Sequence, residues 1–555
     1  MPTGAELFVA SAVQLGIDTI FTLVGDHLNE VLPLAASAGM RIVDLRHESA
    51  VVHAADAWAR IHRCPALSLV TGGPGHTNSL TGIATAQLAG SPLIAVSGAR
   101  ARALADRQAF QDIDQIALAN PVVKWAAEPP SAAQIPFYLR RAFEISNAGR
   151  KGAVHLTIPV DVFRESSKTS PPAGGCSQTV GAPTPSAESI FRALALLHAA
   201  ERPVAIAGSG VWWARAEDAL RRFIEHTSIP LYTITLARGA VSDDHSLTMG
   251  YADPSLNRAA ATALKEADVV LVIGKRIDFR LAMGGGRLFA PETRFIQIDV
   301  HEEEFGLNRP VEVPIYADAR VSLETLTGAA GVAPWPAKPW LDRVRSLRCE
   351  WEAKLAEAGG DSDRGLHPAA FFRELQAAMP ADVLYSWDGG DFAHWGRAIL
   401  PARNPGGWLR LGPLGAIGSS LPNGLALQLA HPERPVVAIT GDGSLGFYLA
   451  EMDTAVRHRL PLMVIVGNDA GWGLERELQS FDAGRPETVA CELQPARYDL
   501  VMQAFGGGGE TIERLEEVRP AVARAFRSRL PYCLNVRIRG VRSPFTEWQI
   551  EGRAR

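Results

Sequence analysis

The stretch Val436-Val437-Ala438-Ile439-Thr440-Gly441-Asp442-Gly443-Ser444 decides the fold class, and Asn468 belongs with it. Its apolar part leads directly into Asp442, and a second apolar run, Leu462–Val466, ends just before Asn468. Runs that lack strict alternation of apolar and polar residues indicate strands covered on both faces, which are typical of parallel sheets. Asp442 and Asn468 are therefore predicted to stand at the ends of two neighbouring buried strands.

These strand ends carry the chemistry of a metal–diphosphate site. A carboxylate and a carboxamide are hard oxygen ligands of the kind that Mg²⁺ prefers. Gly443 allows the backbone to approach a phosphate, and a helix that continues through Ser444 would direct its amide groups at that phosphate. The alternative is a pair of ordinary strand-end turns, in which Asp, Asn and Gly are common.

Length and composition limit the class of protein. The chain has 555 residues, 47% hydrophobic and 21% charged, which fits about three domains of ~150–200 residues. The net charge of −5 argues against nucleic acid as a general partner. No apolar run reaches the ~20 residues that cross a bilayer, and no signal peptide is visible. The five scattered cysteines predict neither a disulfide framework nor a zinc site, so we expect a cytoplasmic protein.

Short β-rich runs alternate with helical stretches along the chain, which predicts βαβ units and an α/β fold. Two segments interrupt this alternation and are interpreted as linkers, because one is rich in Ser, Pro and Gly and the other in Pro and Trp. They are residues 166–187 and 328–340. The predicted units are 1–165, 188–327 and 345–540, followed by a tail at 541–555. The clearest runs are Ala66–Val70, Leu93–Ser97, Val154–Ile158, Val204–Ala207, Val269–Ile273, Phe295–Val300, Val383–Ser386, Val436–Thr440, Leu462–Val466 and Cys533–Ile538.

The spacing from Gly441-Asp442-Gly443 to Asn468 resembles the signature of enzymes that use thiamine diphosphate (ThDP), and the resemblance runs from end to end. It implies three doubly wound parallel-sheet domains, which bind the pyrimidine, a nucleotide (ADP or CoA, in a Rossmann-like middle domain) and the diphosphate, in that order. It also implies ThDP and Mg²⁺ as cofactors, and active sites between the subunits of a homodimer or homotetramer. The implied metal ligands are Asp442, Asn468 and the carbonyl of Ala470, followed by Gly471 and Trp472.

Glu48 is the second motif of this resemblance. It opens a helical stretch after the apolar run Ile42–Leu45. ThDP enzymes of this class have a glutamate here that hydrogen-bonds the pyrimidine N1′, so that the cofactor's own 4′-imino group can remove the C2 proton. A glutamate in an apolar pocket can share a proton there. The alternative is a glutamate that is favoured at a helix N-terminus by the helix dipole.

Two glycine-rich stretches extend the resemblance. Thr71–Asn78 resembles the loop that follows the third early strand in these enzymes. Gly412–Gly418 resembles the segment that holds the aminopyrimidine, which implies that the Gly415 carbonyl accepts from the 4′-amino group. Ile417 would then wedge the cofactor into its bent shape, because a β-branched side chain is stiff. Taken alone, such stretches are more often ordinary turns.

The sequence of the predicted middle domain gives information about the substrate. Leu271–Phe279 and Phe295–Asp299 are similar to the pattern of oxalyl-CoA decarboxylases and 2-hydroxyacyl-CoA lyases, and the flavin-binding segment of acetolactate synthases is lacking. The resemblance implies an acyl-CoA substrate and bound ADP, in a structural or regulatory role. Arg276 can face a phosphate and Asp299 can bind a ribose. Arg403 and Asn404 are candidates for contact with CoA phosphates, and for each of these four residues an ordinary surface or strand-end role is the alternative.

Three further residues are candidates for work on the substrate. Gln111, in the pair Phe110-Gln111 that lyases and acetolactate synthases share, would orient the bound intermediate; otherwise it is a buried structural amide. Glu492 could act as a general base for a 2-hydroxyl group or be a solvated loop residue. His27 could shuttle a proton or be a structural histidine. The tail could close over the substrate channel or fray.

The function expected from these residues is that of a ThDP- and Mg²⁺-dependent 2-hydroxyacyl-CoA lyase. Such an enzyme cleaves the C1–C2 bond to give formyl-CoA and an aldehyde or ketone, and the reverse reaction is an acyloin condensation. Alternatives within the same class are an oxalyl-CoA decarboxylase and an acetolactate-synthase-like enzyme. A non-catalytic subunit with this fold is the alternative from another class.

Overall fold

Parallel strands dominate the computed structural model, which describes residues 1–170, 181–359 and 365–553. They form three separate sheets of six strands each. The first sheet contains β1 (Thr19–Leu23), β2 (Arg41–Asp44), β3 (Ala66–Val70), β4 (Leu93–Ala99), β5 (Ala126–Ala127) and β6 (Ala153–Pro159). The second contains β7 (Pro203–Ala207), β8 (Leu231–Thr233), β9 (Thr248–Tyr251), β10 (Val269–Ile273), β11 (Arg294–Asp299) and β12 (Val313–Tyr316). The third contains β13 (Leu384–Trp387), β14 (Trp408–Arg410), β15 (Val436–Gly441), β16 (Met463–Asn468), β17 (Gly508–Ile512) and β18 (Tyr532–Arg537).

The first and third sheets share one topology. Their strand orders are β2-β1-β3-β4-β6-β5 and β14-β13-β15-β16-β18-β17, whereas the second sheet has the order β12-β11-β10-β7-β8-β9. Central strands such as β3 and β10 are buried at every residue, as expected for strands that helices cover on both faces. The predicted α/β class with three parallel sheets is confirmed.

Helices connect the strands and cover both faces of each sheet. Those around the first sheet are α1 (Gly4–Gln14), α2 (Leu32–Ser37), α3 (Glu48–His62), α4 (Pro74–Ala89), α5 (Gln115–Ala119), α6 (Ile135–Asn147) and α7 (Val160–Arg164). Those around the second are α8 (Ala187–Ala199), α9 (Ser209–Trp213), α10 (Glu217–Thr227), α11 (Arg258–Glu266) and α12 (Ala319–Ala329). The rest are α13 (Pro339–Glu357), α14 (Pro368–Ala378), α15 (Gly390–Ile399), α16 (Ser420–Ala430), α17 (Asp442–Leu445), α18 (Glu451–Arg457), α19 (Gly473–Ala483), α20 (Tyr498–Ala504), α21 (Leu515–Ser528) and α22 (Pro544–Arg553). Within the described ranges, no helix is both long enough and apolar enough to cross a membrane.

The three sheets are not isolated from one another. Helix α3 packs along α16, so the first and third sheets share a hydrophobic core. A second core runs without interruption from the second sheet into the third. Packing between the domains therefore fixes the position of any site at the ends of these strands.

The second predicted linker and the tail are better ordered than their composition suggests. Residues 171–180 of the first predicted linker lie outside the described residues. In the second, the Trp335 amide donates to the His226 carbonyl and the Trp340 indole donates to the Pro203 carbonyl. The tail forms α22 rather than fraying over residues 544–553.

Candidate active site

Asp442 and Asn468 lie side by side because β15 and β16 pair in parallel with Gly441 opposite Gly467. Both side chains are buried, with exposed fractions of 2% and 1%. The Asn468 amide nitrogen donates to the Ala496 carbonyl at 2.9 Å and to Asn535 Oδ1 at 3.0 Å. Those two acceptors fix the amide so that its oxygen is directed elsewhere, toward the 469–471 loop.

That loop completes a set of oxygen atoms. The Ala470 amide donates to Asn468 Oδ1 at 3.2 Å, and the Gly471 amide donates to Asp442 Oδ2 at 3.1 Å. Ala470 has φ 54°, in the left-handed region that disfavours a residue with a Cβ. Its carbonyl accepts from the Leu493 amide at 2.7 Å, which uses one of its two lone pairs and leaves the other.

The charges around Asp442 fit a divalent cation. Burial raises the pKa of Asp442 to about 6. Burial, and then the charge of Asp442, raise the pKa of the neighbouring Asp469 to about 7, while Arg476 lies 3.5 Å from Asp469. Among the described residues, no group of three or more His, Cys, Asp or Glu side chains converges as a metal site. A cation here would therefore depend on the oxygens of Asp442, Asn468 and Ala470, which is the hard-oxygen set suited to Mg²⁺.

A cavity of about 110 Å³ adjoins Asp442. Gly443, Ser444, Trp472 and Ile417 are among the residues that line it. A Cβ on Gly443 would come within 2.8 Å of the Trp472 ring, so only glycine fits between that ring and the backbone. The predicted helix after this strand exists as α17, but it begins at Asp442 and is only four residues long.

Glu48 forms the other half of the predicted site. It is the first residue of α3, is 9% exposed, and accepts a hydrogen bond from the Asn78 amide at 2.9 Å through Oε2. Asn78 lies in the second turn of α4, so only the first part of the predicted Thr71–Asn78 loop, Thr71–Gly73, is a loop in the structure. A neutral amide is the only donor to this carboxylate among the hydrogen bonds of the described residues.

The same loop gathers two of the other candidates. A Cβ on Gly73 would lie 2.7 Å from the side chain of Gln111, which is half-buried with φ 58°. His27 Nδ1 accepts from the Gly72 amide at 3.2 Å and lies 2.9 Å from the Thr71 hydroxyl. Burial lowers the pKa of His27, which favours the neutral ring, and because Nδ1 accepts from the Gly72 amide, the proton of that ring lies on Nε2. Glu48, Asn78, Gln111 and His27 are thus brought together around one loop.

Glu48 and Asp442 of one chain do not share a cavity. The cavity at Asp442 is lined only by residues between Pro368 and Val541. Phe110, next to Gln111, is 84% exposed, and Gly415 is also exposed. Exposed residues therefore lie next to both halves of the predicted site, and Glu48 does not line the cavity at Asp442.

Glu492 is held away from Asp442. Its side chain is 70% exposed, and its Oε1 lies 3.0 Å from Arg476 Nε. Residue 492 also forms an antiparallel bridge with Gly471. Arg476 is thus shared between Glu492 and Asp469.

A much larger cleft, of about 1480 Å³, lies between the first and second sheets. Arg276 and Asp299 line it, and burial followed by the charge of Glu304 raises the pKa of Asp299 to about 6. Arg403 and Asn404 lie outside the cleft, where Arg403 pairs with Asp244 at 2.7 Å and the Asn404 amide donates to the Ala381 carbonyl at 2.9 Å.

The cleft is cationic and reaches the cofactor segment. Its basic lining residues, within the described part of the chain, are Arg60, Lys124, Arg140, Arg141, Arg150, Lys151, Lys275, Arg276, Arg280 and Arg410. Its acidic ones are Glu144, Asp278, Asp299, Glu304 and Asp318. Residues 411–413 also line the cleft, and Ile417 of the same segment lines the cavity at Asp442.

Sequence reasoning missed several acidic residues near the site. Asp388 and Asp391 follow β13, and Asp469 follows Asn468. The signal was available for the first two, because Asp388-Gly389-Gly390-Asp391 follows an apolar run as Asp442 does. Only the fold places β13 beside β15.

Known families match each of the three sheets. Residues 2–118 match "Thiamine pyrophosphate enzyme, N-terminal TPP binding domain", residues 190–326 match the central domain, and residues 388–536 match the C-terminal TPP binding domain of the same enzymes. Thiamine pyrophosphate is another name for thiamine diphosphate.

Individual relatives are similar over nearly their whole length. The chain is 38% identical to a probable acetolactate synthase of Mycobacterium bovis, over 94% of this chain and 93% of the relative. It is 32% identical to a 2-hydroxyacyl-CoA lyase of Oryza sativa, over 96% and 95%. It is 30% identical to an oxalyl-CoA decarboxylase of Escherichia coli, over 97% and 95%.

Proposed function

We propose that this chain, which belongs to the thiamine pyrophosphate enzymes, is a Mg²⁺-dependent carbon–carbon lyase that acts on 2-hydroxyacyl-CoA thioesters. It would cleave the C1–C2 bond to give formyl-CoA and an aldehyde or ketone, and it would run in reverse as an acyloin condensation. One observation carries the choice of substrate: a single segment, residues 411–417, lines both the cationic cleft and the cavity at Asp442. A long phosphorylated thioester could lie in the cleft with its acyl end at the cofactor.

The charge of the cleft supports a ligand with several phosphates. Guanidinium groups bind phosphate through paired hydrogen bonds, and a cleft with one dominant sign of charge concentrates ligands of the opposite sign. Arg276 is our candidate for a phosphate contact and Asp299 for a ribose contact. We propose that the same cleft accommodates ADP or the nucleotide portion of CoA.

The residues at the cofactor site have distinct proposed roles. Asp442, Asn468 and the Ala470 carbonyl would hold Mg²⁺, and Ser444, Gly471 and Trp472 would border the diphosphate. Bound ThDP supplies a nucleophilic carbon that adds to carbonyl groups and then accepts the electrons of the broken bond. Asn78 orients Glu48, which holds a proton at the pyrimidine N1′, while Gly415 and Ile417 position the ring.

Two side chains would act on the substrate oxygens. His27 presents Nε2–H, because its Nδ1 is engaged by the Gly72 amide. It can therefore donate a hydrogen bond to a carbonyl oxygen, and Gln111 can orient the same group. Glu492 can remove a 2-hydroxyl proton only after it leaves Arg476, so its proposed role as a base requires a movement of that ion pair.

A second copy of the chain would complete the site. Glu48 does not line the cavity at Asp442 of its own chain, and Phe110, next to Gln111, is exposed. We propose a homodimer as the smallest active unit, with Glu48 of one protomer meeting the Asp442 cavity of its partner. A tetramer would be a pair of such dimers.

Acyloin condensation of 2-oxo acids is the second candidate. It is favoured by the identity of 38% to a relative named acetolactate synthase, against 32% and 30% for the relatives named for CoA thioesters. The two candidates share the cofactor chemistry and differ in what occupies the cleft.

Parallel incubations discriminate these functions. Enzyme reconstituted with ThDP and Mg²⁺ is given 2-hydroxyacyl-CoA thioesters, oxalyl-CoA or pyruvate, and the products are identified by mass spectrometry. The proposal predicts formyl-CoA and an aldehyde or ketone from the first substrate, and an Asp442→Ala variant as control should give none. Formyl-CoA from oxalyl-CoA alone would make the protein a decarboxylase, and acetolactate from pyruvate with no reaction of the thioesters would favour the second candidate.

A further inference from the structure

Four arginine side chains converge where the second and third sheets meet. Two of them have carboxylate partners. Arg238 pairs with Asp243 at 2.5 Å, and Arg280 pairs with Asp253 at 3.1 Å. These two pairs are each neutral, so they leave the charge of the remaining two guanidinium groups uncompensated.

Arg397 on α15 and Arg410 at the end of β14 are the remaining two. They are 2% and 6% exposed, and neither forms an ion pair within the described part of the chain. Arg410 Nη1 donates to the Tyr251 hydroxyl at 2.9 Å and its Nε has no acceptor. Arg397 has no acceptor for Nε or Nη1. Both guanidinium groups therefore have buried N–H donors without an acceptor.

Neighbouring groups do not supply the missing acceptor. The charges of Asp253 and then Asp388 act on Arg397, but Asp253 pairs with Arg280, and the Asp388 oxygens accept from the Gly389 and Gly418 amides and the Ser420 hydroxyl. His394, which stacks on Phe545, is neutral because burial holds its pKa far below the ordinary value.

An unpaired buried charge is costly, and native structures rarely keep one without a functional reason. Burial lowers the pKa of Arg410 to about 9 and also lowers the pKa of Arg397. Two guanidinium groups with free N–H donors match the planar oxygens of a carboxylate or the oxygens of a phosphate.

The cleft gives an anion access to this pair. Arg410 lines the 1480 Å³ cleft together with Arg280, next to residues 411–413. Arg397 does not line the cleft, and it lies close enough to Tyr251, the partner of Arg410, for their charges to interact. An anion that reached Arg410 from the cleft would therefore come near the open donors of Arg397.

We propose that Arg397 and Arg410 form a buried binding site for one small oxyanion, a carboxylate or phosphate group, on a ligand that enters through the cleft. The inference does not require the reaction proposed above, because binding of an anion is measured without turnover. The group would belong either to the substrate, as a carboxylate, or to the nucleotide, as a phosphate.

Calorimetric titration of the holo-protein with inorganic phosphate and, separately, with malonate tests the site. We expect one of these probes to bind with a stoichiometry of one per chain. Arg397→Met and Arg410→Met should each weaken binding by at least tenfold, while Arg410→Lys retains part of it. Arg519→Met is the matched control, because Arg519 is exposed on α21 and pairs with Glu374 away from the cleft, and it should bind as the wild type does.

Two further experiments identify whether the anion belongs to a nucleotide or to the substrate. Prior saturation with ADP should abolish phosphate binding if the site takes a nucleotide phosphate. A preference for malonate that ADP leaves unchanged would assign the site to a substrate carboxylate.

Thermal stability in anion-free buffer separates a binding role from a structural one. Because neither guanidinium has a carboxylate partner, the two Met variants should melt at the same temperature as the wild type or higher. The proposal is overturned if neither probe binds to the wild type, if the Arg397→Met and Arg410→Met variants bind as tightly as the wild type, or if Arg519→Met loses binding equally. Should the Met variants fail to fold, a crystal structure of the wild type with each probe decides, and no density between the two guanidinium groups in either would contradict the site.

Discussion

The proposed role of Glu48 depends on the groups that surround its carboxylate. It begins α3, so its backbone is fixed, and the Asn78 amide holds one of its oxygens at 2.9 Å. A neutral donor orients a carboxyl group without placing a second charge beside it. This environment suits a group that must share a proton with a ring nitrogen.

Replacing Glu48 with Gln should lower kcat by about two to four orders of magnitude, because a carboxyl group that exchanges a proton with N1′ is lost while the shape is kept. Steady-state kinetics with saturating ThDP and Mg²⁺ provide the measurement. Glu225→Gln, at an exposed ion pair on α10, should keep full activity. Wild-type turnover by the Glu48→Gln enzyme would remove Glu48 from the mechanism.

Among single residues, the sequence allowed the prediction of those whose proposed role follows from residue type and from position after an apolar run. Asp442, Asn468 and Glu48 each follow an apolar run, so their placement at strand or helix ends could be predicted. Arg397 and Arg410 could not, because a sequence does not reveal that a charged side chain is buried or that it lacks a partner. The exposure of Glu492 and its pairing with Arg476 were equally out of reach, since they depend on contacts between distant parts of the chain.

At the scale of secondary-structure elements, the loop of residues 469–472 connects β16 to α19 and contains one residue with a strained backbone. Ala470 adopts φ 54°, and its amide and carbonyl are both engaged, by Asn468 and Leu493. The strain is the consequence of directing two backbone amides and one carbonyl toward the same small region. Side-chain identity at 470 matters for stability but not for the carbonyl.

Ala470→Gly should therefore stabilise the protein by about 0.5–1 kcal/mol, since glycine adopts positive φ without the Cβ clash. Thermal unfolding measures the change, and Mg²⁺ affinity should be unaltered. Ala523→Gly, in the exposed middle of α21, is the control and should destabilise by about 1 kcal/mol. A lower melting temperature for both variants would contradict the account of this turn.

Helix α22 joins the second and third sheets. Asp391 accepts from the Ser543 and Thr546 hydroxyls at 2.5 Å, and the Trp548 ring lies against the guanidinium groups of Arg287 and Arg258 at 3.7 and 4.8 Å. The helix is thus docked on both of its sides. Its proposed function as a lid requires these contacts to open.

Trp548→Ala should loosen this helix, because two cation–π contacts worth about 0.5–1 kcal/mol each at partly exposed sites are lost. Hydrogen exchange of residues 541–553 should become faster by about tenfold, and Phe191→Ala, at an exposed side chain on α8, should leave it unchanged. Unchanged exchange in the Trp548 variant would show that the Trp548 ring does not hold the helix in place.

Strands buried on both faces were the most predictable elements. β3 and β10 match their predicted bounds, because a continuous run of apolar residues marks them. The short strands β5, β8 and β14 were missed, since two or three residues carry no periodic signal. The docking of α22 was not predictable, because its aromatic and charged residues fit a free tail equally well.

At the scale of the whole molecule, contacts between the domains determine where Glu48 and Asp442, the two halves of the proposed site, lie. Glu451 on α18 is fully buried and accepts from the Arg46 amide at 3.0 Å and from the Thr454 hydroxyl at 2.6 Å. It therefore ties the third sheet's domain to the segment just before Glu48. Burial raises the pKa of Glu451 to about 7 from an ordinary value of 4.5.

This shift predicts a pH dependence of stability. The folded protein keeps the proton on Glu451 at pH values where the unfolded chain has lost it. Its contribution is therefore fully present below about pH 4.5 and declines as pH rises to about 7, by roughly 3 kcal/mol in total. Glu451→Gln removes the titration, so the stability of the wild type relative to this variant should fall between pH 5 and 8. A constant difference across that range would contradict the assignment.

The domain order and the parallel sheets followed from the sequence, whereas the pairing of the sheets into shared cores did not. We propose that Asp442, Asn468 and Ala470 bind Mg²⁺ and ThDP in the assembled molecule, and that Glu48 of the partner subunit completes the site. The most direct measurement strips the purified protein with a chelator and follows ThDP binding by calorimetry as Mg²⁺ is returned. The account predicts that ThDP binds only with the metal present, and that Asp442→Ala abolishes this binding. Tight binding of ThDP to the metal-free protein, or no binding after Mg²⁺ is restored, would contradict it.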